Sequence, residues 1–111
     1  MDLSQFKESL NKSRPNGLTK LLEALWYDGS GDWEKAHEIT QEIHSENAAE
    51  VHAYLHRKEG DKWNANYWYE RAHKPFCDAS LDQEWQALVK KIISKLNETK
   101  IIQRLILYYD C

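Results

Sequence analysis

The chain has 111 residues, of which 41% are hydrophobic, 12% aromatic and 30% charged, and its net charge is -3. These values fit one globular domain with a modest core and well-solvated faces, and they exclude a disordered chain. The small acidic excess leaves no basic footprint for nucleic acid or an anionic membrane surface.

The N-terminal run Met1-Asp2-Leu3-Ser4-Gln5 has neither a basic n-region nor an apolar h-region, so no secretory signal is expected there. No apolar run approaches the ~20 residues of a membrane span, and the cytoplasm is the expected location. Cys77 and Cys111 form neither a disulfide framework nor a zinc knuckle and are expected to be free thiols.

In chain order, Leu3, Phe6 and Leu10 predict a short amphipathic helix, broken at Ser13-Arg14-Pro15-Asn16-Gly17. Leu18, Leu21, Leu22, Leu25 and Trp26 keep helical spacing until Asp28-Gly29-Ser30-Gly31, where Gly29 is the expected C-cap and Asp32 the cap of the next helix. A third helix is predicted over 33–44, with the stripe Trp33, Ala36, Ile39, Thr40 and Ile43. Ser45-Glu46-Asn47 separates it from a fourth over 48–59. Gly60-Asp61 then leads to a fifth over 62–73, ended by Lys74-Pro75. Ser80 and Gln83 have capping-box spacing before the longest apolar stripe, Leu81, Trp85, Leu88, Val89, Ile92, Ile93 and Leu96. Asn97 is a candidate stop. The run 101–109 reads as a final helix, with a strand as the alternative because it is rich in β-branched and aromatic residues. The expected fold is all-α, a single domain over 1–111.

One pattern occurs twice. Gly31-Asp32-Trp33-Glu34-Lys35-Ala36 recurs 29 positions later as Gly60-Asp61-Lys62-Trp63-Asn64-Ala65. Glycine tolerates the left-handed backbone that closes one helix, Asp caps the next, and Ala lets two helices approach. Such a period points to stacked helical hairpins.

From Gly60-Asp61 through Ala65, Tyr69 and Ala72 to Pro75, with Ala24 and Ala53 at the small positions of the first helices, the chain resembles the tetratricopeptide repeat over about residues 18–75. The period is 29 where that motif has 34, and Lys20 and Ala49 stand where it has a large apolar residue. The resemblance implies antiparallel hairpins in a truncated array followed by a long C-terminal amphipathic helix. The stretch from Val51 to Asp61, continuing through Asn64-Ala65 and Tyr67-Trp68-Tyr69, is also similar to a group of small uncharacterised bacterial proteins, which implies a bacterial cytoplasmic setting and carries no activity.

Two constellations offer chemistry. His52 and His56 are four residues apart on the fourth helix, so their imidazoles share a face, as in many metal sites. Glu59 lies three residues further along that face, and His37 on the third helix is positioned to oppose them. Together they make a plausible shell for zinc or another divalent metal. Core histidines otherwise hydrogen-bond to a carbonyl, a tyrosine or a carboxylate, and that structural role is the leading reading; acid-base use is a third.

The other constellation is aromatic. Ala65, Trp68, Tyr69 and Ala72 share one side of the fifth helix, with Trp63 and Tyr67 roughly opposite. Either the helix is sandwiched between two neighbours, or Trp63, Tyr67 and Arg71 face a ligand groove; Tyr, Trp and Arg favour binding hot spots. The Trp26-Tyr27 pair is expected to pack on the repeat core, and Tyr27 is a further candidate for the binding surface. Tyr108-Tyr109 beside Ile101, Ile102, Leu105 and Ile106 suggests a homodimer through the C-terminal helix.

Phosphate loops, Gly-x-Ser-x-Gly and paired-cysteine motifs are absent from the sequence. Asp28 and Asp32 do not fit an EF-hand loop. The leading expectation is a non-enzymatic interaction module for a protein or peptide partner, without cofactor. The rival is a small metal- or ligand-binding protein, extending to a hydrolase, built on His37, His52, His56 and Glu59.

Overall fold

Each of the six helices among the described residues begins on an Asp, Ser or Thr that accepts a hydrogen bond from the first turn: Asp2, Thr19, Asp32, Ser45, Asp61 and Ser80. Each satisfies a backbone donor that a helix start leaves open. The computed structural model describes the backbone of residues 1–109 and the side chains of residues 1–97. It contains α1 (Leu3–Ser9), α2 (Lys20–Gly29), α3 (Trp33–Gln41), α4 (Glu46–Lys58), α5 (Lys62–Arg71) and α6 (Leu81–Tyr109), with no strand among the described residues.

The 29-residue repeat is a repeat of turns. Asp32 N–H donates to Tyr27 O at 2.8 Å and Gly31 N–H to Asp28 O at 3.0 Å; Asp61 N–H donates to His56 O at 2.9 Å and Gly60 N–H to Arg57 O at 3.1 Å. This is the paired-bond helix stop that needs a left-handed residue, and Gly31 and Gly60 supply it at φ 96° and 85°. The same stop ends α5, but there His73 takes the left-handed position at φ 57°. Two helical pairs result, α2 with α3 and α4 with α5, and α3 also packs on α4. Ala24, Ala36, Ala53 and Ala65 are fully buried at these approaches.

Gly29 is not the cap that the sequence predicts. It is the last residue of α2, and a Cβ there would lie 2.8 Å from the Trp85 ring and 3.1 Å from Leu10. Its small size makes room for α6. Trp85 fills that room and donates its indole N–H to Leu25 O at 3.0 Å, while Phe6 packs on its ring. The α6 stripe Trp85, Leu88, Val89, Ile92 and Ile93 is buried against α1, α2 and α4. A smaller cluster of Ala53, Ala65 and Tyr69 lies between α4 and α5.

Several boundaries differ from expectation. Helix α3 stops at Gln41, and α4 starts at Glu46 because Ser45 is its cap rather than part of a linker. The Ser80–Gln83 box is reciprocal, at 3.2 and 3.1 Å. Asn97 does not end α6, which continues as one helix to Tyr109, so 101–109 is not a strand; a single Asn in a helix interior costs only a fraction of a kcal/mol. The side chains expected to mediate pairing, Ile101, Ile102, Leu105, Ile106, Tyr108 and Tyr109, and the Cys111 thiol, lie outside the described residues. No helix among the described residues is long and apolar enough to cross a membrane.

Candidate functional site

Helix α4 divides its faces. Val51 and Leu55 join the main core, while His52 and His56 point to the junction with α3 and α5. Their one-turn spacing stacks the two imidazoles, 4.9 Å between centroids. Helix α3 delivers His37 to the same place, 4.8 Å from His52 and 5.2 Å from His56. The three rings form a nearly equilateral triangle.

Two tryptophans wall this triangle. Trp33, one turn before His37, lies parallel to it at 5.0 Å and is anchored by its indole N–H to Leu55 O at 2.8 Å. Trp68 from α5 lies on His52 at 3.9 Å. His37 Nε2 and His52 Nε2 are 3.1 Å apart, so one donates to the other, and His56 Nδ1 meets Glu59 Oε1 at 2.7 Å.

His52 is buried, and His37 and His56 are partly buried. Burial, then repulsion from His37 and His56, pushes the His52 imidazole down to about 3. Burial and His56 also lower His37, with Glu59 and Glu34 opposing. Both are therefore neutral imidazoles near pH 7, each with one N–H and one lone pair. The ligand atoms of His37, His52 and His56 lie within 4.8 Å of one another. His56, Glu59 and Asp61 meet the same distance, but Asp61 is held by the Asn64 backbone and side-chain amides as the α5 cap.

The outer face of α5 is different. Trp63 is 76% exposed and Tyr67 is 42% exposed. Their rings are nearly parallel at 6.2 Å. Arg71 donates to Tyr67 Oη at 3.0 Å and sits 5.5 Å over its ring. Among the described residues no helix covers Trp63. Tyr27 is not with them: its ring contacts Trp26 and Arg14 beside the main core.

The structure thus gathers His37, His52 and His56, with Glu59 on the outer nitrogen of His56, and separately aligns Trp63, Tyr67 and Arg71. Sequence reasoning missed the role of Trp33 and Trp68 as walls. The i,i+4 spacing of Trp33 and His37 carried a signal for one of them; Trp68 carried none, since its contact spans two helices. It also missed two buried polar knots. Asp28, faintly suggestive of a cation loop in the sequence, accepts from Tyr54 Oη at 2.6 Å and Lys58 Nζ at 2.9 Å. Glu84 accepts from Tyr69 Oη at 2.5 Å and Arg57 Nε at 3.0 Å.

Comparison of the chain with protein-family models, curated proteins and solved structures finds no match.

Proposed function

We propose that the protein is a non-enzymatic helical-repeat interaction module, a truncated tetratricopeptide-like array closed by a long amphipathic C-terminal helix, which binds a protein or peptide segment through the outer face of α5. The observation that carries this reading is the exposure of Trp63 beside the half-exposed Tyr67. The repeat itself makes no demand for these aromatics. The positions 29 residues earlier are Glu34 and Glu38 on α3 and Glu42 at its C-cap, all exposed, as a solvated outer face should be. Helix α5 replaces that acidic row with Trp63, Tyr67 and Arg71.

The chemistry of the face defines the partner. Two near-parallel rings offer about one turn of apolar contact. Arg71 spends one donor on Tyr67 and keeps others for a carboxylate. A segment with apolar anchors and an acidic group beyond them fits. The setting that goes with this reading is the bacterial cytoplasm, from the resemblance of the 51–69 stretch to small bacterial proteins.

A photo-crosslinking residue in place of Tyr67 identifies the partner, and calorimetry with purified partner then compares wild type with Trp63→Ala/Tyr67→Ala. Loss of at least about 2 kcal/mol of binding is expected if these are hot spots, with unfolding unchanged. Affinity indifferent to both substitutions sinks the reading. A second copy is the other partner this reading admits, because Ile101, Ile102, Leu105 and Ile106 keep a helical period. Removing the residues after Leu96 then converts dimer to monomer, and an unchanged elution volume with intact folding disposes of that part.

A further inference from the structure

We propose that His37, His52 and His56 together bind one borderline divalent metal ion of the zinc, cobalt(II) or nickel(II) kind. The site uses none of Trp63, Tyr67 or Arg71, and meets the α5 face only through the Trp68 ring.

Geometry carries the inference. Bonds of 2.0–2.1 Å to a tetrahedral centre place neighbouring ligand nitrogens about 3.3 Å apart. His37 Nε2 and His52 Nε2 already stand at 3.1 Å. All three ligand atoms fall within 4.8 Å, so rotation of the remaining imidazole completes the set. His52 and His56 supply the i,i+4 pair of one helix, and His37 adds the third ligand from a second helix.

Supporting groups fix the rings. Glu59 on His56 Nδ1 takes the N–H of that nitrogen and leaves Nε2 as the lone-pair donor. A carboxylate behind a ligating histidine sets its tautomer and raises its basicity. Trp33 and Trp68 lie flat on His37 and His52 and hold their planes. The existing hydrogen bonds use only one nitrogen of each ring. A purely structural trio needs neither the convergence of three rings nor a carboxylate behind one of them.

Ligand type selects the ion. Three imidazoles suit zinc, cobalt, nickel or copper, whereas calcium and magnesium require oxygen ligands. Three protein ligands leave a fourth position for water or another exchangeable ligand, as in open zinc sites. The repeat does not generate this site: the positions 29 residues from His37, His52 and His56 are Asn66, Glu23 and Tyr27.

The test uses chelator-treated full-length protein titrated with cobalt(II), whose visible absorption intensifies in low-coordinate nitrogen sites, followed by zinc displacement in a calorimeter. One ion per chain is expected. Glu59→Gln should weaken zinc binding by about 10–100-fold, and His37→Gln, His52→Gln and His56→Gln should each weaken it more. Circular dichroism checks each variant. If a histidine variant does not fold, Glu59→Gln decides, because Glu59 lies at the solvent-exposed end of α4. A cobalt spectrum that stays that of the aqueous ion overturns the proposal. So does uptake that none of the folded variants changes, which would place the ion elsewhere.

Discussion

The indole of Trp68 lies flat on the imidazole of His52, 3.9 Å between ring centroids and 12° between planes. It also packs on the Ala53, Ala65 and Tyr69 cluster and meets Tyr67, edge-on at 5.2 Å, and Arg71, 5.3 Å from its centroid. Trp68 is thus the one ring shared by the histidine cluster and the exposed face of α5. Trp68→Ala uncovers His52 and opens a cavity between α4 and α5. Fully buried Trp→Ala changes cost about 3–5 kcal/mol, and Trp68 is half-buried, so a loss towards the lower end is expected in urea unfolding. A loss within about 0.5 kcal/mol, the range of ordinary surface changes, would show that the stack contributes nothing.

The glycines separate two physical causes. Gly31→Ala and Gly60→Ala place a Cβ at positive φ with open space around it, so each should cost about 1 kcal/mol of backbone strain. Gly29→Ala has no such strain but drives a methyl into Trp85 and Leu10, an overpacking cost of about 1–3 kcal/mol. Trp85→Phe should relieve the Gly29→Ala penalty and leave the other two untouched. Equal coupling of all three to residue 85 would contradict this assignment.

His73 gives the reverse case. It holds a left-handed position that favours glycine. His73→Gly should stabilise the chain by up to about 1 kcal/mol, less whatever the exposed contact with Glu46 at 2.7 Å contributes, which is about 0–1 kcal/mol for such pairs. Thermal melts of His73→Gly and His73→Ala decide: a melting temperature lower for glycine than for alanine refutes the assignment.

Acid should act through His52. Its folded pKa of about 3 lies below the ordinary imidazole value of 6.5, so between these values the unfolded chain holds a proton that the folded chain lacks. The stability this group contributes is complete above about pH 6.5 and is lost as pH falls towards 3. The slope approaches about 1.4 kcal/mol per pH unit for one proton. Urea midpoints of metal-free protein, wild type against His52→Gln, should converge on acidification through this window. Profiles that stay parallel would mean that His52 does not stay neutral in the fold.

Glu84 and Arg57 form a buried pair, with side chains 5% and 15% exposed. Arg57 Nη2 is buried and has no hydrogen-bond partner among the described residues. Glu84→Ala strands the guanidinium and the Tyr69 hydroxyl, and should cost about 3–5 kcal/mol. Glu84→Leu/Arg57→Leu removes both charges and should cost less than Glu84→Ala alone. Guanidinium unfolding of the three proteins checks the order; a double variant that sums two large losses would mean the pair is not coupled.

Much of the local architecture was legible. Gly31-Asp32 and Gly60-Asp61 mark two helix-to-helix turns, the Ser80–Gln83 box marks the start of α6, and the spacing of His52 and His56 puts both rings on one face. What failed was decided across elements. Gly29 looked like a cap because its composition is that of a turn, yet its size is set by Trp85, 56 positions away. Asn97 looked like a stop because Asn is a weak helix former, yet α6 runs on through it.

The sequence by itself determined the all-helical class, the caps at Asp32, Asp61 and Ser80 and the repeated turn, because these depend on interactions a few residues apart that recur with helical period. Only the tertiary structure decided that His37 joins His52 and His56, that Trp33 and Trp68 enclose them, and that Trp63 and Tyr67 face outward. Those outcomes depend on how α3, α4 and α5 pack. The rotation of one helix against another is set by the summed fit of many side chains, which no local spacing records.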